Sequence, residues 1–371
     1  MKLRIERAAL LKSLGHMQSV VERRNTIPIL SNVLLDASGP KLSLTATDLD
    51  LWMAEQVDAE VEQPGGTTVP AQTLYDIVRK LPDGSDVELA AQADGRLMVR
   101  AGRSKFHLPS LSREDFPLMP EGEFPHRFTL AAADLRRLFD KTRFAISTEE
   151  TRYYLTGIYL HAATGKGEAS LRAVATDGHR LAKVESPLPK GAAGMPGVIV
   201  PRKVVLELLR LVEDLDTDIA LSLSDNKIRA DFDGAVLTSK LIDGTFPDYQ
   251  RVIPSGNDKM LEVDAKAFAA AIDRVSTVST EKSRAVKIAL SKDKATLSAS
   301  SAENATATEE LAVDYSGEAL EIGFNARYLI EILGEIDGAT AEFAFADAVS
   351  PTIIRDGTDA GALYVLMPMR V

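Results

Sequence analysis

The sequence predicts an α+β fold in which one unit, two helices and a β-sheet, occurs three times in tandem. Three observations carry that expectation. The strand-to-turn phrase Ala46-Thr47-Asp48, after Leu42 and Leu44, returns as Ala175-Thr176-Asp177 after Leu171, Ala173 and Val174, about 129 residues later. Pro70 and Pro201, each opening an apolar-periodic helix, stand about 131 residues apart, and Phe116-Pro117 and Phe246-Pro247 about 130. The second helices of the second and third rounds start about 124 residues apart. Unlike landmarks that keep one spacing point to duplication of a whole domain, and 371 residues allow two or three domains of ordinary size.

The elements follow from periodicity. Leu10, Leu14, Met17 and Val21 give Ala8–Val21 one apolar helical face, ended at Arg23–Pro28 because the residue before proline is pushed out of the helical region. Strands are expected at Ile29–Leu35, Leu42–Ala46 and Trp52–Val57. A second helix opens at Pro70-Ala71, turns Leu74, Ile77, Val78 and Leu81 inward and stops at Pro82-Asp83-Gly84. Strands follow at Val87–Ala90, Leu97–Ala101 and Lys105–Leu108. The second round has helices at Ala132–Ile146 and Pro201–Val212 and strands at Ile219–Leu223, Ile228–Phe232 and Val236–Leu241. The third has helices at Ala265–Val278 and Asn325–Ile336 and closes with strands near Ala341–Phe345 and Leu363–Met367. Tandem units expose one kind of end near residue 1 and the other near residue 371. Such heterologous contacts close a ring or grow a filament.

Composition excludes several classes. Hydrophobic residues at 45% and charged residues at 26% are those of a globular protein, and no apolar run is long enough to span a membrane. No secretory signal is visible, and the absence of cysteine removes disulfides, thiolate metal sites and cysteine nucleophiles; a cytoplasmic location is expected. A net charge of −11 repels phosphate on average, so any nucleic acid must meet a segregated basic surface or be held loosely.

His179, beside Asp177 in Thr176–Leu181, is the obvious candidate for acid-base chemistry. The other histidines (His16, His107, His126, His161) make no metal-like spacing, and there is neither a phosphate-cradling loop nor a nucleophile elbow. No catalytic residue, metal or cofactor is therefore expected. A turn histidine satisfied by its backbone, or one on a binding surface, fits the pattern better. The last eight residues, Tyr364–Val371, hold two methionines, a proline and several aliphatics where a terminus is ordinarily polar. They fit a final strand whose methionines accept apolar partners. Arg136, Arg137, Lys141 and Arg143 read as a solvated helix face, and Glu149–Tyr154 mixes charge with two tyrosines that either pack or stack on a base.

These strings resemble one family. Arg152–Gly157, Ala175–Ala182, Ile199–Lys203, Phe246–Tyr249, Ile322–Asn325, Tyr364–Arg370 and Thr26–Leu30 are similar, in register over the chain, to the bacterial DNA sliding clamp, the beta subunit of DNA polymerase III. The resemblance implies clamp domains at 1–123, 124–255 and 256–371 and a head-to-tail homodimer, a six-domain ring with helices lining the hole. Topology would then hold sequence-independent double-stranded DNA, so phosphate contacts can be weak. It also implies that the polymerase III catalytic subunit, the clamp loader, other polymerases and repair proteins insert a short Gln- and Leu/Phe-containing peptide into a cleft between domains II and III. That cleft would use Leu155, Thr176, Gly178, His179, Arg180, Leu181, Pro247, Arg251, Val252, Val349, Val365, Met367, Pro368, Met369 and Arg370, with His179 and Arg180 as rim and hydrogen-bonding groups. DNA would meet Arg24, Arg152, Tyr153, Tyr154 and Lys203, and the dimer seam would set Phe106 against the region of Val278. Two other readings compete: a hydrolase using His179 and Asp177, and a repeat scaffold that never meets DNA.

Overall fold

The computed structural model describes residues 1–22, 26–119, 122–164, 168–279, 285–301 and 305–370. Arg24 lies outside them. Six α-helices occur among the described residues: α1 Arg7–Val20, α2 Ala71–Lys80, α3 Ala132–Arg143, α4 Arg202–Leu211, α5 Ala265–Ser276 and α6 Ala326–Gly334. Each falls where the apolar period places it; α1 is shifted by one residue toward the N-terminus, and the others are shorter by one to three residues at one or both ends. α1 buries Leu10, Leu14, Met17 and Val20, and α5 buries Phe268, Ile272 and Val275. Each such side chain contributes about 1.5–3 kcal/mol on leaving water. Caps differ between copies: Asp264 accepts a hydrogen bond from the Ala267 amide (2.7 Å) and Asn325 one from the Arg327 amide (3.0 Å). α1 and α2 start without a side-chain cap.

The described chain forms two compact units. The first comprises Met1–Ala133, Pro189–Met195 and Leu206–Leu241. It holds a five-stranded antiparallel sheet and an eight-stranded one, the latter in the order His126–Ala131, Asp218–Leu223, Lys227–Phe232, Ala235–Lys240, Leu51–Asp58, Lys41–Thr47, Asn32–Ser38, Gly65–Pro70. The second comprises Asp134–Leu188, Pro196–Val205 and Ile242–Val371. Its nine-stranded sheet runs Val198–Pro201, Gly157–Ala163, Ser170–Thr176, Arg180–Pro187, Asp359–Leu366, Thr352–Asp356, Thr340–Phe345, Lys259–Asp264, Asp314–Tyr315. A four-stranded sheet, Thr306–Ala312, Lys294–Ser300, Ala285–Ser291, Leu320–Asn325, completes it.

Both long sheets join strands of different repeats. In the first unit Ala235–Lys240 pairs with Leu51–Asp58; in the second Arg180–Pro187 pairs with Asp359–Leu366. Either pairing covers an edge that would otherwise stand open. The expected strand at Ile29–Leu35 is corrected. Pro28–Ser31 is a 3₁₀ turn, and only Asn32–Ser38 is extended. Pro28 lacks the amide a ladder needs, and the turn instead drops Ile29 and Leu30 onto Phe116 in a small satellite core.

Candidate functional site

The Thr176–Leu181 turn is wired to itself. Thr176 Oγ1 accepts from the Gly178 amide (3.1 Å) and donates to the Arg180 carbonyl (2.7 Å). Asp177 Oδ1 accepts from the amides of His179 (2.9 Å) and Arg180 (3.0 Å). Gly178 has φ +89°, and a Cβ there would lie 2.6 Å from Nη1 of Arg152, whose guanidinium covers the turn. The earlier copy is built the same way. Thr47 Oγ1 accepts from the Leu49 amide, Asp48 Oδ1 from those of Asp50 and Leu51, and Leu49 takes φ +78° although it is not glycine. The repeated Thr-Asp thus encodes a turn, and the residues after it differ in kind.

The second copy continues into a buried cation. Arg180 is 7% exposed. Its guanidinium donates to Asp177 Oδ2 (3.1 Å), to the Phe144 carbonyl (2.7 Å) and to Glu331 on α6. Its carbon lies 4.3 Å from the Tyr328 ring centre and 5.0 Å from that of Phe144. Burial pushes the Glu331 carboxyl up, but hydrogen bonds from Arg327 and Arg180 outweigh it and hold it below the usual range. Arg180 thus fixes the turn from beneath, each of its three guanidinium nitrogens donating within the chain. Its neighbour His179 is exposed and stacks on Tyr328, ring centres 6.3 Å apart.

The C-terminal strand completes the site. Arg180 pairs with Leu366 and Leu181 with Val365, and the Met367 amide donates to the His179 carbonyl (2.9 Å). Farther on, the Met369 amide donates to the Gly323 carbonyl (2.8 Å), so the terminus is pinned at two points. Met367 remains 39% exposed, Pro368 and Met369 are half-buried and Arg370 is exposed. Thr352 also pairs with Leu366, which brings the loop before it to this end of the sheet. There Asp347 accepts from the amides of Val349 and Ser350 and holds Val349 outward at 78% exposure.

Leu155, Leu181 and Val365 lie in one buried cluster with Val174, Ile199, Phe246, Tyr249 and Ile353, and Tyr154 and Ile253 pack on it. They form a floor. The exposed Pro247, Arg251 and Val252 belong to the segment whose Phe246 and Tyr249 seal that floor. Apolar side chains thus stand at the same sheet end over a rigid apolar base. Sequence reasoning missed Tyr328, Glu331 and Phe144. An aromatic residue three positions after a capping Asn325 was the available signal.

Of the other candidates, Arg152, Tyr153 and Tyr154 share the Glu150–Leu155 turn, and the Arg202 amide beside Lys203 donates to the carbonyl of Thr156 just after it (3.2 Å). Arg152 pairs with Glu149 (2.7 Å), which offsets its charge. Tyr153 is exposed and makes an edge-on contact with half-buried Tyr154, ring centres 5.7 Å apart. Lys203 is half-buried in the first turn of α4. Half-buried Phe106 lines a hollow of about 540 Å³ with Ile77, Leu81 and Pro82, and half-buried Val278 follows α5. The solvated-face expectation fails for two α3 residues. Arg137 binds Asp359 (2.5 Å), and Lys141, 9% exposed at its side chain, binds Asp337 and the Glu335 carbonyl, both at 2.7 Å.

Beside Lys141, burial and the nearby Asp140 push the Glu335 carboxyl up to about 7. A raised carboxyl holds its proton better folded than unfolded. Its stabilising contribution is thus full below the unfolded value of 4.5 and is lost as pH rises through about 7. Glu335→Gln is expected to raise stability at pH 8 by about 1 kcal/mol, after discounting for partial exposure, and to change little at pH 4. Thermal melts at both pH values check this; equal effects at both would contradict it.

Among the described residues no three His, Asp or Glu side chains gather as a metal site, and no helix is long and apolar enough to cross a membrane. Tandem two-helix units, sheets spliced between repeats and an apolar site pinned by the C-terminal segment define a repeat protein with an apolar docking surface. Family models for the DNA polymerase III beta subunit match its N-terminal domain at residues 1–120, its central domain at 129–248 and its C-terminal domain at 250–370. The beta sliding clamp of Caulobacter vibrioides is 57% identical, and that of Escherichia coli K12 40% identical, each over 100% of both chains. Crystal structures of the Caulobacter crescentus and Bartonella birtlesii sliding clamps superpose with TM-scores of 0.96 and 0.97, at 57% and 50% identity, also over 100% of both chains. The chain belongs to the DNA polymerase III beta-subunit family, the bacterial sliding clamps, processivity factors that are not themselves catalytic. The hydrolase and DNA-free scaffold readings are set aside.

Proposed function

We propose that two copies of this chain close head to tail into a ring around duplex DNA, with domains at 1–123, 124–255 and 256–371. The ring tethers the replicative polymerase and admits the clamp loader, other polymerases and repair proteins in turn, in the cytoplasm. Partners enter through a short Gln- and Leu/Phe-containing peptide. Its apolar anchors rest on Met367, Pro368, Met369, Val252 and Val349, above the floor of Leu155, Leu181 and Val365. His179, Gly178, Thr176, Pro247, Arg251 and Arg370 border it, and Arg180 holds the turn in place.

One observation carries this reading: the terminal methionine segment is hydrogen-bonded to the His179 carbonyl and left partly exposed. Pinned apolar side chains lose little freedom when a partner covers them, and such anchors carry most of the energy of a small interface. Arg24, Arg152, Tyr153, Tyr154 and Lys203 face the DNA, and Phe106 meets the Val278 region of the partner protomer at the seam. A net charge of −11 is compatible with this because topology, not charge, retains the duplex.

Light scattering should return twice the chain mass of 40.1 kDa. Phe106→Asp should give the single chain while leaving affinity for the partner peptide unchanged, since a buried unpaired charge opens the seam alone. A dimer that survives the substitution removes Phe106 from the seam; a monomeric wild type removes the ring.

A further inference from the structure

On the face of the nine-stranded sheet that carries Leu181 and Val365, the next position along the Arg180–Pro187 strand is Lys183, opposite Leu363. Its side chain is only 15% exposed. Among the described residues, the carboxylate in ion-pair range is Glu185, 3.7 Å away and also held by Arg172 at 2.7 Å. Lys183 therefore shares Glu185 with Arg172, which holds that carboxylate more closely. Two further cations crowd it: Arg172, across the ladder beside Val174, and Arg355, on the far side of Leu363. Glu342 is the cross-strand neighbour of Arg355, yet the two make no ion pair. Burial, reinforced by Arg172 and Arg355, pushes the Lys183 ammonium below its usual range despite Glu185. Lys183 and Arg172 thus share one carboxylate, and an ammonium taken this far out of water favours a further anion.

This cluster is continuous with the partner site. The 3₁₀ turn Tyr249–Val252 contributes Val252 and Arg251 to the site, while its first residue, Tyr249, reaches back to His161 (3.0 Å) and Arg172. Lys183 and Leu181 are two residues apart on one strand, about 7 Å. A peptide seated over Leu181 and Val365 and extending past this turn therefore comes within side-chain reach of Lys183.

We infer that Lys183, flanked by Arg172 and Arg355, is a specificity-determining extension of the partner site that receives an acidic side chain flanking the apolar anchors of a bound peptide. The inference rests on the peptide-site reading above. Seating the carboxylate gives Lys183 an acceptor it does not share with Arg172 and adds a charge-assisted hydrogen bond in a half-buried setting.

Three synthetic peptides test it by calorimetric titration. All carry one Gln-Leu-Phe anchor segment, with a neutral glutamine flank, a glutamate flank before the anchors, or one after them. One acidic flank is expected to tighten binding to the wild-type chain about fivefold over the neutral peptide. Lys183→Met should abolish that gain while leaving neutral-peptide affinity unchanged, which also shows that the variant is folded. Equal binding of all three peptides to wild type overturns the extension and leaves the peptide site standing. A gain that survives Lys183→Met assigns the preference elsewhere and also overturns it. If the neutral peptide fails to bind wild type, the peptide-site reading falls, and this inference with it.

Discussion

Removing Met367–Val371 should lower affinity for the partner peptide by about two orders of magnitude and leave dimerisation intact. The removed segment supplies Met367, Pro368 and Met369, the apolar surface directly beside the His179 carbonyl. Loss of a small interface's central anchors typically amounts to about 2–4 kcal/mol, and 1.4 kcal/mol is tenfold. The strand itself ends at Leu366, so the ladder between Asp359–Leu366 and Arg180–Pro187 keeps its full register in the shortened chain. Among the described residues the deletion gives up two backbone hydrogen bonds, about 1 kcal/mol each. Phe106 and Val278 are not touched. A titration with undiminished affinity would remove the terminus from the site.

Arg180→Met should destabilise the chain by about 3–5 kcal/mol, the usual effect of breaking a buried ion pair from one side. The aliphatic stem would be replaced, but Glu331, Asp177 and the Phe144 carbonyl would all lose their shared donor. Arg180→Lys should recover little, because an ammonium cannot reach three acceptors in different directions while lying flat between two rings. Thermal melts of both variants, alongside peptide titrations, separate the two consequences: a lower midpoint and a loosened 176–181 turn with weaker binding. A midpoint within a degree of wild type for Arg180→Met would contradict the burial argument.

How much of this was legible beforehand depends on the range of the interaction. The six helices follow from local apolar period, and the turn follows from Thr-Asp in both copies, because side chains bonding their own backbone act over two or three residues. The pairing of 180–187 with 359–366 joins residues nearly half a chain apart. Nothing local specifies which edge a strand finds, so the nearness of Met367 to His179 was not readable from spacing. The alternating strands Lys294–Ser300 and Thr306–Ala312 escaped notice because each has a single leucine among alanines and polar residues, too weak an alternation to stand out. That Arg180 is buried was not legible in the sequence, because arginine is seldom buried unless paired. Its partner Glu331 lies on another element about 151 residues away.

The clamp reading is tested most directly by retention on DNA of matched length, nicked circle against linear, after loading with the cognate loader and a high-salt wash. Salt strips charge-held protein from both forms by returning counterions to the phosphates. A closed ring should stay on the circle and slide off the ends of the linear form. Equal loss from both, with loading confirmed before the wash, would contradict topological retention.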